Sequence, residues 1–145
     1  MNKLNVLDTG GAKPREITAN WDRDVSAPVW SQDSKTIYFL SDDRGDVNLY
    51  EIGIHGGMRQ VVTTGHRRFA SLSVARGRPA VVYITSTEPP ALATFSLDAP
   101  GKLNVIVAPN AQMRMGCQLS GTEEIWYEPF GGRRIKYIDP KPRTP

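Results

Sequence analysis

Cysteine and histidine are scarce in this chain of 145 residues. Cys117 is its one cysteine, so no intrachain disulfide can form. One cysteine and two histidines cannot build a zinc site of the usual Cys/His kind. We therefore expect neither a metal nor another cofactor.

Long apolar segments are also absent. No run approaches the roughly 18 residues that a membrane span needs, and the first residues lack the apolar core of a signal peptide. These absences predict a cytoplasmic chain with no membrane partner, although a longer parent protein could be periplasmic.

Neither sign of charge dominates, since 18 basic and 15 acidic residues leave a net charge of +3. Nucleic-acid binding would need aromatic side chains beside the basic ones, and only Phe69 is near the first basic group. We expect a solvated face or an inter-domain contact, and no nucleic-acid partner. The basic residues in question are Arg67, Arg68, Arg76 and Arg78, followed later by Arg133, Arg134 and Lys136.

The stretch from Pro28 to Val62 has strand-length apolar segments separated by turn residues, and no helical pattern. Gly45 lies in a hairpin loop, where it can take the positive φ that such loops need. Four antiparallel strands in about 35 residues match one blade of a β-propeller. The predicted strands are Pro28–Trp30, Thr36–Ser41, Val47–Ile54 and Arg59–Thr63.

The same hairpin recurs along the chain. It begins at Leu4, Leu49 and Leu92, and its turns contain Thr9-Gly10-Gly11, His55-Gly56-Gly57 and Ala99-Pro100-Gly101. A period in the low forties is the spacing of four-stranded blades. We predict an all-β partial propeller of about two and a half blades with a C-terminal exit strand. Residues 1–20 would end one blade, 21–64 and 65–108 would form two more, and 109–145 would be a remnant strand and linker.

Two and a half blades would leave strand edges and apolar faces open to water, which are pairing sites. We therefore expect the chain to be a fragment of a larger polypeptide or to associate with other copies through its open edges. A β-sandwich is the structural alternative.

The stretch from Pro28 to Gly57 resembles the WD40-like repeat of TolB-type propellers. It departs from that repeat at Gln32, where the repeat has proline, and at Ser34, where it has glycine. We expect Ser34 to take the left-handed conformation, at a cost of about 1 kcal/mol. The matching residues are Pro28, Trp30, Ser31, Asp33, Lys35, Ile37, Phe39, Ser41, Gly45, Leu49, Tyr50, Gly56 and Gly57.

Nearly the whole chain resembles the propeller of prolyl oligopeptidase-family serine peptidases, of the acylaminoacyl-peptidase and dipeptidyl-peptidase-like kind. The similar segments are Ile17–Arg23, Pro28–Asp33, Ile37–Gly45, Leu49–Ile52 and Glu123–Pro142. The resemblance implies a parent hydrolase that cleaves short peptides, with an α/β-hydrolase domain after residue 145. The propeller would then gate substrate access. A stand-alone TolB-like module that binds a protein partner remains the alternative.

No catalytic residue can be assigned, because the G-x-S-x-G nucleophile elbow of serine hydrolases is absent. The repeat makes His55-Gly56-Gly57 a hairpin turn rather than an oxyanion loop, and His66 has no nucleophile to activate. Three aspartates in one loop suggest calcium, but the loop is hairpin-sized and Arg44 interrupts it. Four aromatic residues are predicted to be core or blade packing: Trp30, Tyr38, Tyr83 and Trp126. We accordingly predict no catalytic, cofactor-binding or metal-binding residue, with Asp42, Asp43 and Asp46 in a solvated turn and Cys117 buried and inert.

Overall fold

A computed structural model describes residues 1–57, 60–114, 122–128, 131–132 and 134–140. These residues form twelve β-strands and one 3-10 turn (Ala111–Arg114), and the described part contains no α-helix. No helix within these ranges has the length and hydropathy needed to cross a bilayer. The strands are β1 (Asn5–Val6), β2 (Arg15–Glu16), β3 (Val25–Trp30), β4 (Thr36–Asp43), β5 (Asp46–Gly53), β6 (Gln60–Val61), β7 (Arg68–Ala75), β8 (Arg78–Ile84), β9 (Ala91–Ser96), β10 (Ala99–Val107), β11 (Thr122–Tyr127) and β12 (Ile135–Pro140).

The middle of the chain forms two four-stranded antiparallel meanders. Strands β3 to β6 make blade A, and strands β7 to β10 make blade B. One parallel pair, Val47 with Arg68, joins the blades, and the Val47 N–H donates to the Arg67 carbonyl at 3.0 Å. That pair makes the blades parts of one eight-stranded sheet, while apolar side chains of both blades pack together in a shared cluster. Hairpin β1–β2 precedes them and hairpin β11–β12 follows them.

Strand β4 is covered on both of its faces because its apolar side chains alternate between two cores. Tyr38 and Leu40 pack into a cluster shared with blade B, which contributes Phe69, Val81 and Phe95. This stacking explains why β4 is a continuous apolar run rather than an alternating one.

The other side of β4 packs under the first hairpin. Ile37 and Phe39 join a cluster with Trp21 and with Leu4 and Ile17 of the β1–β2 hairpin. Phe39 is fully buried in this cluster. Blade A is thus enclosed by the preceding hairpin and by blade B, as a blade within a stack is.

In two copies of the repeated hairpin, a buried threonine accepts a hydrogen bond from the N–H of the leucine at which the hairpin begins. The Leu4 N–H donates to Thr18 Oγ1 at 2.8 Å, and the Leu49 N–H donates to Thr63 Oγ1 at 2.9 Å. Both threonines are buried. The third copy, which begins at Leu92, has no threonine at the matching distance. The first two copies of the hairpin therefore share this hydrogen bond as well as a similar sequence, whereas the third copy shares only the sequence.

The predicted turn conformations are confirmed in blade A. Ser34 has a φ of 57° and Gly45 a φ of 90°. Arg44 also has a positive φ of 55°, so the two residues between β4 and β5 match a type I′ turn.

The third predicted turn was placed incorrectly. The chain turns at Leu97 and Asp98, and β10 already begins at Ala99, which pairs with Ser96. The Asp98 N–H donates to Ser96 Oγ at 3.3 Å and closes the turn early. Pro100 has no N–H to donate, and the ladder is irregular until Asn104 pairs with Thr94.

The assignment of the aromatic residues was partly wrong. Tyr38 and Tyr83 are buried, but Trp30 is 49% exposed and Trp126 is 40% exposed. Trp30 ends β3, which has no neighbour on its other side among the described strands. The buried tryptophan is Trp21, which donates from its indole to Ser41 Oγ at 2.8 Å and meets the Tyr50 ring edge-on.

The first basic group of the sequence, which includes Arg68 and Arg78, does not form one surface patch. Arg68 pairs with Ile84 at one end of hairpin β7–β8, and Arg78 pairs with Ala75 at the other. The eight residues of β7 separate these ends by about 25 Å. The Arg68 guanidinium forms an ion pair with the Asp42 carboxylate at 3.4 Å, so a nearby acidic residue neutralises its charge.

Candidate functional site

A cleft with a volume of about 820 Å³ lies between blade A and hairpin β11–β12. One wall comes from the β4–β5 turn and the segment that leads into β7. The other wall is the hairpin. Charged side chains from both walls line the cleft, together with Trp126. The cleft is therefore where the last described hairpin meets the blades.

The pairing of β11 with β12 decides which side chains face the blades. Trp126 lies opposite Lys136, and Glu124 opposite Ile138, so these four share one face. The other face carries four partly exposed apolar side chains: Ile125, Tyr127, Ile135 and Tyr137. The hairpin thus presents its charged pair, Glu124 and Lys136, to blade A.

Four titratable side chains meet in this cleft. Lys136 Nζ lies 2.5 Å from Glu124 Oε1 and 3.8 Å from Asp46 Oδ2, and it donates to the Arg44 carbonyl at 3.0 Å. His66 Nδ1 lies 2.9 Å from Glu124 Oε1 and 3.3 Å from Asp46 Oδ2. We call Asp46, His66, Glu124 and Lys136 the ionic cluster.

Burial is uneven across the ionic cluster. The Lys136 side chain is 11% exposed, whereas the His66 side chain is 76% exposed. Lysine is rarely buried unless its charge is paired. Lys136 therefore forms the centre of the cluster, and His66 covers its solvent side.

The Lys136 ammonium lowers the pKa of Glu124 below its ordinary value, chiefly through their hydrogen bond. The charges of His66 and Lys136 lower this pKa further, while partial burial of the carboxyl group opposes the shift. Glu124 is accordingly a carboxylate at neutral pH.

The donor atoms of Asp46, His66 and Glu124 lie within 4.8 Å of one another, which is close enough to share a metal ion. Lys136, however, already supplies a cation to both carboxylates. The arrangement is therefore first an ion-pair cluster, and the expectation of no metal stays a prediction. The bonds of His66 go to carboxylates, whereas a base that activates a nucleophile faces a hydroxyl or thiol.

The other sequence candidates lie apart from this cluster or only at its border. His55 is in the turn after β5, as predicted, and Asp42 pairs with Arg68. Asp43 pairs with Arg23 at 3.2 Å. Arg133 and Cys117 lie outside the described residues.

Sequence reasoning considered Asp46, His66 and Lys136 separately and did not consider Glu124. The alternation of β11 and β12 was a usable signal for the Glu124–Lys136 pair, because it places both on one face. Their contact with Asp46 had no local signal.

The architecture defines the class to which this chain is similar. Two stacked four-stranded meanders, a preceding hairpin and a following hairpin form an open part of a β-propeller, as predicted, and the β-sandwich alternative is wrong. The β-propeller domain of the Trilobed protease from Pyrococcus furiosus superposes with a TM-score of 0.57 at 21% identity, over 72% of this chain and 31% of that one.

Segments of larger peptidases are similar to this chain as well. Pyrococcus horikoshii acylaminoacyl peptidase superposes with a TM-score of 0.71 over 92% of this chain and 20% of that one, at 17% identity. In sequence, dipeptidyl-peptidase 5 of Porphyromonas gingivalis is 32% identical over 74 residues, which are 51% of this chain and 11% of the relative. No protein-family model matches the chain.

The predicted resemblance is thereby confirmed. The chain is similar in sequence to a segment of dipeptidyl-peptidase 5, and in fold to segments of an acylaminoacyl peptidase and of a protease propeller domain. It spans about a tenth of the curated relative that it matches.

Proposed function

We propose that the chain is the non-catalytic propeller portion of a prolyl oligopeptidase-family serine peptidase that hydrolyses short peptides. The observation that carries this proposal is the 32% identity with dipeptidyl-peptidase 5 over 74 residues. The fold similarity to an acylaminoacyl peptidase over 92% of the chain supports it. The G-x-S-x-G elbow is absent from this sequence, so the nucleophile of the parent would lie in a separate α/β-hydrolase domain.

In this proposal the blades restrict access to the active site of the parent. Propeller blades are rigid because each is packed on its neighbours, as blade A is here. A rigid wall beside an active site excludes large substrates sterically and admits short peptides. The substrate class is thus set by size as well as by side-chain recognition.

The test begins with an antibody raised against this chain, which is used to capture the protein from its source cells. The captured protein should cleave dipeptidyl or acylaminoacyl substrates, and cleavage should fall steeply as the peptide is lengthened. A fluorophosphonate, which reacts with activated serines, should abolish it.

The matched control is the purified chain of 145 residues, which should cleave none of these substrates. Captured protein without hydrolytic activity would contradict the proposal and favour a binding module. Cleavage by the purified chain that survived replacement of each serine by alanine would contradict it too.

A further inference from the structure

The hairpin β11–β12 touches the blades through side chains only. Among the described residues, no Cα of its strands lies within 8 Å of a Cα of β3 to β10. Its most apolar face, with Ile125, Tyr127, Ile135 and Tyr137, points away from the ionic cluster. Trp126 and Ile138, on the face that meets the blades, stay 40% and 49% exposed, so the apolar contact that holds the hairpin in place is incomplete.

Polar contacts remain, and the ionic cluster contains most of them. At one end of β11 a single neutral bond joins Thr122 Oγ1 to Ser86 Oγ at 3.1 Å. Further along, Lys136 meets Asp46 and the Arg44 carbonyl, and Glu124 meets His66. Hydrogen bonds with a charged partner are about twice as strong as neutral ones.

We propose that Lys136 is the central cation of an ionic clasp that fixes hairpin β11–β12 to blade A and so sets the direction in which the chain leaves the propeller. Lys136 suits this role because its ammonium bridges both bodies: Glu124 belongs to the hairpin, while Asp46 and Arg44 belong to blade A. Removing it would leave two carboxylates facing each other without their central counter-charge. The clasp does not depend on the proposed function, because it concerns only how two described parts of the chain are joined.

Arg134 offers a matched control within the same hairpin. Its Nε lies 3.3 Å from Glu128 Oε1, and both side chains are largely exposed. This ion pair joins two residues of the hairpin, and among the described residues Arg134 lines the cleft without an ion pair to blade A. Exposed pairs of this kind contribute little to stability. Arg134→Met therefore removes the same charge and comparable bulk without touching the clasp.

Disulfide trapping measures whether the hairpin is docked. Ser86→Cys and Thr122→Cys place two thiols where hydroxyl oxygens lie 3.1 Å apart, and Cys117→Ser removes the other thiol. Docked hairpins cross-link quickly under a mild oxidant, because a disulfide needs its two sulfurs at about 2.05 Å. The loss of two hydrogens, followed by mass spectrometry, gives the rate.

Lys136→Met should slow cross-linking by about tenfold or more, and Arg134→Met should leave it within about twofold. Equal rates for Lys136→Met and the unchanged chain would overturn the clasp. Equal slowing by both substitutions would overturn it as well, because the effect would then be general to the hairpin charges. If Lys136→Met does not fold, Asp46→Asn removes the blade A carboxylate of the clasp at nearly constant size, with the same expected slowing.

Discussion

Ser34 holds a left-handed backbone conformation that most residues avoid. Its φ is 57°, and its N–H donates to the Ser31 carbonyl at 3.0 Å, which closes the β3–β4 turn. Glycine adopts this conformation without the steric cost that a Cβ brings. The position was predictable from the sequence because turn geometry is determined by a few adjacent residues.

Ser34→Gly should therefore stabilise the chain by about 0.5–1 kcal/mol, measured as the free energy of unfolding in urea. Ser73→Gly is the control, since Ser73 lies inside β7, where glycine is unfavourable. A loss of stability with Ser34→Gly would show that the serine side chain contributes more than its backbone strain costs.

Thr63 Oγ1 accepts a hydrogen bond from the Leu49 N–H at 2.9 Å, and both residues are buried. Thr63→Val keeps the shape but leaves this N–H without an acceptor, which should cost about 1–3 kcal/mol of unfolding free energy. Thr63→Ser keeps the hydroxyl and should cost less than Thr63→Val. Thr64→Val, at an exposed neighbouring position, should change stability by no more than about 0.5 kcal/mol. Similar losses at positions 63 and 64 would contradict the role assigned to this bond.

At the scale of strands and hairpins, the sequence predicted more than it did for single residues or for the whole molecule. Blade A could be located because its apolar runs and turn residues lie within 35 positions of one another. The ionic clasp could not, because Lys136 reaches the Arg44 carbonyl across 92 positions. Alternation shows which residues share a face of a hairpin, but not what that face meets.

The pKa of Glu124 makes the docking of hairpin β11–β12 depend on pH. Lys136 lowers this pKa from within the hairpin, whereas the His66 charge lowers it only when the hairpin is docked, so the ionised carboxylate favours docking above its ordinary pKa of 4.5. This contribution should be lost as the pH falls below 4.5 and through the lowered value. The Trp126 indole signal in an NMR titration, followed through its cross-peaks to Thr64 on the other wall of the cleft, reports the change.

Glu124→Gln should remove this transition, because an amide does not titrate. The Trp21 indole, which is bonded to Ser41 in the blade core, shows whether the blades themselves unfold. If Trp126 and Trp21 shifted together at every pH, acid would be unfolding the whole chain, and the docking account would be wrong.

At the scale of the whole molecule, the feature that matters is the apolar surface exposed on strand β10. Val105, Ile106 and Val107 are each about half exposed, and among the described strands β10 has a neighbour on one side only. Two irregularities in the pairing of β10 with β9 make this edge less suited to pairing with a further strand, but they do not cover it. Open edges were expected from the count of blades, whereas the particular residues required the structure.

We expect the isolated chain to self-associate through this edge. Sedimentation should give an average mass above 16.0 kDa that rises with concentration, and Ile106→Lys should reduce it by placing a charge on the edge. Leu7→Lys, at an exposed apolar position of the first hairpin, should not. A monomer at all concentrations would contradict this expectation, as would an equal effect of both substitutions.

The size of the polypeptide that carries this sequence in its source cells tests the central claim most directly. An immunoblot with an antibody against the chain, run beside fluorophosphonate labelling of the same sample, gives both the mass and the reactive serine. The account predicts one labelled band larger than 16.0 kDa by at least a hydrolase domain. An unlabelled band at 16.0 kDa would contradict it and would make the chain a propeller module that acts without a peptidase.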